Sequence, residues 1–174
     1  AKTLEAIIGG FFRGWPRDKK VALEPDAEKA LVSLLSRVSP EGRAQLANLG
    51  ARWGSNALAK YASEIGSTLL ALVRDESKPE AARIDAARQL IEFRVRDAES
   101  VRALLSLMTP RTAPTLANGL VAAIAKSEAP ESGPALVEAF GSMTPSVRPT
   151  ALRAFLGRSL WTKALLDGVD SGIV

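Results

Sequence analysis

Apolar residues recur along the chain at intervals of three and four, as at Leu31, Leu34, Leu35 and Val38 or at Leu104, Leu105 and Met108, with charged and small polar residues between them. This period puts the apolar side chains on one stripe of an α-helix. It predicts ten helices, over about 2–14, 26–38, 40–53, 56–74, 79–93, 97–108, 111–127, 131–142, 145–157 and 160–169. Alanine at many helix-facing positions lets neighbouring helices come close, which suits layers stacked on one another.

The breaks between helices are themselves patterned. "SPEGR" (39–43), "KPEAAR" (78–83), "TPRTAP" (109–114) and "TPSVRP" (144–149) form proline-marked joints, with Pro40, Pro79, Pro110 and Pro145 spaced by 39, 31 and 35 residues. Before the joints, "DAEKALVSLLSRVSP" (26–40), "DAESVRALLSLMTP" (97–110) and "ESGPALVEAFGSMTP" (131–145) share an acidic start, an amphipathic middle and a Ser/Thr-Pro stop. An acidic residue suits the positive end of a helix, and Ser or Thr followed by Pro reads as an N-cap with proline at the first helical position. After the joints, "ARIDAARQLI" (82–91) lies over "VRPTALRAFL" (147–156), with Arg83/Arg148, Ala86/Ala151, Arg88/Arg153 and Leu90/Phe155 coinciding. Two helices per period of roughly 35 residues follow, the signature of a repeat array. Pro114 and Pro149, four residues beyond Pro110 and Pro145, are expected to sit past the first turn of their helices and kink them.

On these features, and on the Val-Arg steps Val147-Arg148 and Val101-Arg102, the chain resembles HEAT-repeat proteins. The resemblance implies an all-α, HEAT-like α-solenoid: a right-handed superhelix of about five antiparallel helical hairpins, over 1–38, 39–74, 78–108, 109–142 and 144–172 of a single helical-repeat domain, 1–174. The stretches "LEAIIGGFFRGWP" (4–16), "LANLGARWGSNALAKY" (46–61) and "DAARQLIEFR" (85–94) are similar to the helical-repeat region of large planctomycete membrane-bound-dehydrogenase-like proteins that carry a separate c-type haem domain. That likeness implies a fragment of a larger multidomain protein, exported or periplasmic. It rests on packing residues, and the haem-attachment motif is missing from this sequence, so haem binding does not carry over.

Composition narrows the chemistry. The chain has 47% hydrophobic and only 5% aromatic residues, leaning on Ala and Leu, which is a helical composition. It carries 23 Lys and Arg against 19 Asp and Glu, but the signs are interspersed, so the net +4 is weak support for a nucleic-acid partner. It has neither cysteine nor histidine, which excludes disulfides, thiolate chemistry and the commonest metal ligand and general base. No apolar run reaches membrane-spanning length; "LANGLVAAIA" (116–125) is too short, so no direct membrane insertion is expected.

The remaining candidates each have a plainer reading. Trp15, Trp53 and Trp161 could stack on a ligand or partner, but each is expected to plug the seam between successive hairpins. Arg83, Arg88, Arg94, Arg96 and Arg102 form a basic stripe that could hold phosphates, yet acidic residues at helical spacings such as Glu80/Arg83 and Arg88/Glu92 predict surface ion pairs. The glycine pair of "IIGGFF" (7–12) lacks the context of a nucleotide fingerprint and predicts close helix packing or a break. Asp75, Glu76 and Glu80, and Asp167 with Asp170, read as helix-end groups; a serine nucleophile would lack a histidine base.

The expected function is therefore non-enzymatic, with no catalytic residue, cofactor or metal: a scaffold or protein-interaction module whose partners are other domains of a parent chain or another protein. Helical phase places Lys29, Ser33, Lys60, Glu64, Ser106, Glu138 and Lys163 on the outward side of second helices as interface residues. A HEAT-like nucleic-acid-binding or DNA-repair module and an accessory domain of a haem-linked dehydrogenase are the alternatives.

Overall fold

Residues 2–16, 19 and 21–174 are described by the structure, a computed structural model. Among them the chain is all-α: α1 (Lys2–Gly14), α2 (Pro25–Leu34), α3 (Pro40–Arg52), α4 (Asn56–Arg74), α5 (Glu80–Phe93), α6 (Ala98–Leu105), α7 (Pro114–Ile124), α8 (Ser132–Phe140), α9 (Arg148–Leu156) and α10 (Ser159–Asp170). A 3₁₀ turn, Leu35–Arg37, extends α2. Contacts gather into two compact units, 1–68 and 69–174, with the boundary inside α4.

In the first unit α1 packs along α3, and Ile8, Leu35, Val38, Leu46 and Leu58 form the buried cluster, edged by Leu4, Leu31, Leu34 and Tyr61. Gly9 is buried inside an unbroken α1, where an added Cβ would lie 3.3 Å from the Gln45 side chain on α3. Of the glycine pair, Gly9 thus serves close packing, Gly10 faces open space, and neither breaks the helix. The 26–38 helix expected from the pattern tightens at Leu35, because Val38 and Ser39 must become extended ahead of Pro40. Ser39 then caps α3, its hydroxyl accepting from the Gly42 amide at 3.2 Å.

In the second unit the helices form two rows. α5 packs along α7 and α7 along α9; α6 packs along α8 and α8 along α10. Aligned by their buried positions, Ala86, Leu116 and Ala151 are equivalent, as are Leu90, Leu120 and Phe155, and all six are buried. A second stripe lies beside them. Ala87 and Ile91 on α5, in helical phase with Ile84, which meets Gly119 of α7, are buried. Their equivalents on α7, Ala117 and Val121, are buried as well. On α9 the same two positions are Leu152 and Leu156, exposed to 38% and 69%. On α5 the stripe faces α7 through Ile84, and no further helix of the row follows α9 among the described residues.

The loops between rows are tied across layers. Val95 O accepts from the Glu128 amide at 2.6 Å and the Ser127 hydroxyl at 3.2 Å. Arg96 pairs with Glu128 at 2.8 Å, and the Arg158 guanidinium donates to Ser127 O.

The proline kinks expected at Pro114 and Pro149 are not present. Thr109 to Ala113 form a turn, in which Thr112 Oγ1 accepts from the Thr109 amide at 3.0 Å and donates to Leu107 O at 2.7 Å. Pro114 then opens α7, and Pro149 stands at the second residue of α9 after a turn closed by the Val147 amide on Thr144 O at 2.9 Å. The physical reason is that proline has no N–H to give, which is free in the first turn but removes a bond, at a cost of roughly 3 kcal/mol or more, once inside the helix. The Thr-Pro pairs therefore mark turns, and the later prolines mark the helix starts.

Candidate interaction surfaces

The arginines are largely engaged in holding the chain together. Of the basic stripe, Arg83 donates from Nε to Val73 O at 2.8 Å, Arg88 pairs with Asp85 at 3.1 Å and Arg94 with Asp97 at 3.5 Å. Arg96 pairs with Glu128 at 2.8 Å and Arg102 with Glu99 at 2.7 Å. Each of the five thus already has a carboxylate or a carbonyl as a partner, which lowers its net attraction for a phosphate.

A pattern not foreseen in the sequence links the joints. Arg43 Nε donates to Val38 O at 3.3 Å, Arg83 Nε to Val73 O at 2.8 Å, and Arg148 Nε to Met143 O at 3.1 Å. At the joint without an arginine in that place, the Thr112 hydroxyl does the same for Leu107 O. Each joint thus carries one side-chain donor that satisfies a carbonyl at or just beyond the end of the preceding helix, where backbone acceptors lack intrahelical partners. The signal was visible in the recurring arginine of "SPEGR", "KPEAAR" and "TPSVRP".

Trp161 is buried against α8, where an added Cβ on Gly133 would lie 2.9 Å from its ring, and the Arg158 guanidinium sits 4.9 Å from the ring centroid. Trp15 and Trp53, at the ends of α1 and α3, instead meet each other, their centroids 5.2 Å apart at 72°, with Phe11 beside both. Trp15 Nε1 donates to Lys19 O at 2.9 Å, whereas Trp53 Nε1 is buried without a hydrogen-bond partner among the described residues. This pairing was missed because the two residues are far apart in sequence. The clue was that each closes the first helix of an expected hairpin, 1–38 and 39–74.

The interface positions Lys29, Ser33, Lys60, Glu64, Ser106, Glu138 and Lys163 are all exposed. Several bond within their own helix: Lys29 to Asp26, Lys60 to Glu64, Lys163 to Asp167, and the Ser33 and Ser106 hydroxyls to Ala30 O and Ala103 O. Four lie in the first unit and three in the second.

The carboxylates likewise serve structure. Asp75 holds the turn after α4, accepting from the Ser77 hydroxyl at 2.6 Å and amide at 2.9 Å, and Asp167 holds Lys163. Among the described residues no group of three acidic side chains could hold a metal ion, and no helix is long and apolar enough to cross a membrane.

Two carboxylates reach across the first unit to helix starts. Glu5 on α1 accepts from the Ser39 amide at 2.7 Å, and Glu28 on α2 accepts from the Ser55 hydroxyl at 2.6 Å and the Ala57 amide at 3.2 Å. Hydrogen bonds from the Ser39 amide hold the Glu5 carboxyl below its ordinary 4.5, and those from the Ser55 hydroxyl and then the Ala57 amide do the same for Glu28. The Ser77 hydroxyl and amide hold Asp75 below 3.8. Each carboxyl binds its proton less tightly in the folded state than in the unfolded chain. Its contribution is therefore full above the unfolded value and is lost as pH falls through the depressed folded one. Thermal melts from about pH 6 down to about pH 2.5 are expected to show the midpoint dropping in the acid range. Glu28→Gln is expected to show a smaller acid drop; an unchanged pH profile in that variant would contradict the assignment.

Compared with known proteins, the chain matches no family model, no curated protein and no solved structure.

Proposed function

We propose that the chain is a non-catalytic helical-repeat module of HEAT type that works as a protein-interaction scaffold. The observation that carries this reading is the stripe shared by α5, α7 and α9. At two equivalent positions it is buried wherever a helix follows and is apolar and exposed on α9, at Leu152 and Leu156. An apolar helix face of this kind fits another helix and not a phosphate backbone. The partnered state of Arg83, Arg88, Arg94, Arg96 and Arg102 supports the same choice over a nucleic-acid module.

Titration of the folded chain with a random-sequence DNA duplex across a salt series tests the reading. No binding is expected, even at about 50 mM salt. Micromolar binding that weakens steeply with salt would mean neutralised phosphates and would overturn the scaffold reading in favour of the arginine stripe.

A further inference from the structure

Resting on the interaction reading above, we infer that the edge of the second unit where α7 and α9 begin is a docking surface for an acidic segment of a partner protein. Charge is interspersed along the chain as a whole, but residues 100–127 and 139–166 contain no Asp or Glu. The turns before α7 and α9 fall inside these stretches, and with them Arg111, Arg148 and Arg153, all three exposed. None of the three has a carboxylate partner among the described residues. Arg111 makes no side-chain bond there, Arg153 reaches the Thr150 hydroxyl at 3.0 Å, and Arg148 donates to Met143 O at 3.1 Å and Gly141 O at 3.3 Å. Elsewhere in the unit Arg88, Arg94, Arg96, Arg102, Lys126 and Lys163 are each paired with a carboxylate.

The fold joins the two turns. α7 lies along α9, and Asn118, in the second turn of α7, donates to Ser146 O at 3.4 Å and accepts from the Thr150 hydroxyl. Arg153 leans on that same Thr150, Arg148 opens α9, and Arg111 stands three residues before Pro114, which opens α7. Arg148 is further fixed by the Phe140 ring, whose centroid lies 5.6 Å from its guanidinium, so little freedom is left for it to lose on binding. A carboxylate suits this set, because one guanidinium can hold both of its oxygens. A nucleic acid suits it less: a duplex held by so few cations dissociates at moderate salt, and residues 106–118 and 141–154 contain no aromatic ring on which an unpaired base could stack.

Fluorescence anisotropy with the intact chain and a labelled ten-residue peptide of alternating Glu and Ser tests this. Binding is expected with a dissociation constant on the order of 100 μM at about 50 mM salt, weakening about 10-fold by about 300 mM. The matching peptide of alternating Gln and Ser is expected not to bind. Arg111→Gln and Arg153→Gln together are expected to weaken binding at least ~10-fold with the helical circular dichroism unchanged. Arg88→Gln and Arg102→Gln together remove the same charge from arginines that already have carboxylate partners, and are expected to change it less than ~2-fold. Absence of binding up to about 1 mM, or equal losses in the two double variants, would overturn the inference. With no DNA binding in the titration above, such a result leaves the scaffold reading standing. DNA binding that Arg111→Gln and Arg153→Gln abolish would make the partner a nucleic acid and overturn both.

Discussion

Phe155→Ala is expected to lower the stability of the second unit by about 3–5 kcal/mol, the usual cost of emptying a fully buried aromatic position. Phe155 is fully buried, stands where Leu90 and Leu120 stand in the preceding layers, and meets Phe140 of α8 with centroids 6.0 Å apart. The neighbouring stripe makes a sharper comparison. Ile91→Ala on α5 is expected to cost about 2–5 kcal/mol, because that side chain is fully buried. Leu156→Ala, at the equivalent position on α9, is expected to stay within about 0.5 kcal/mol in the monomer. Urea unfolding of the three variants measures all of this. Equal losses at Ile91 and Leu156 would mean that the layer equivalence is wrong.

The second large effect concerns a glycine. Gly119→Ala on α7 would place its Cβ 2.5, 2.6 and 2.9 Å from three side-chain atoms of Ile84 on α5. Alanine gains roughly 1 kcal/mol of helix propensity over glycine, which alone would stabilise α7. The contact dominates, because Ile84 is β-branched and stiff at χ1 and cannot swing all three atoms away. A net destabilisation of about 1–3 kcal/mol is expected. The Gly119→Ala, Ile84→Ala double variant removes the three opposing atoms and is expected to lose less than the sum of the single changes. Additive losses would show that the two helices are not in contact there.

The helices themselves were legible from the sequence because their signals are local. The 2–14 and 56–74 predictions agree with α1 and α4, and Ser39-Pro40 opens α3 as its N-cap chemistry requires. The proline joints were found for the same reason but misread, since a Thr-Pro pair alone does not say whether the helix begins there or after the turn. That choice was made by Thr109 and Thr112, whose hydroxyls satisfy the turn and leave Pro114 to open the helix.

What the sequence could not supply depends on which helix lies beside which. The bonds of Arg83 and Arg148 to carbonyls before their joints connect the ends of successive helices, and local spacing assigned Arg83 to an ion pair with Glu80 instead. The meeting of Trp15 with Trp53 requires α1 and α3 to be neighbours. The exposure of Leu156 against the burial of Val121 is equally non-local: the two residues have the same helical phase and differ only in whether another helix follows.

The most direct test of the layered arrangement uses the absence of cysteine from the sequence. Asn118 on α7 and Thr150 on α9 touch through their side chains, the Thr150 hydroxyl donating to Asn118 Oδ1. With Asn118→Cys and Thr150→Cys introduced together, the two thiols are the only pair in the molecule. Mild oxidation is then predicted to give an intramolecular disulfide in the folded monomer, seen as faster migration on a non-reducing gel and loss of both free thiols. Thiols that remain free in the folded chain, or that link only between molecules, would place α7 and α9 apart and contradict the stacked rows.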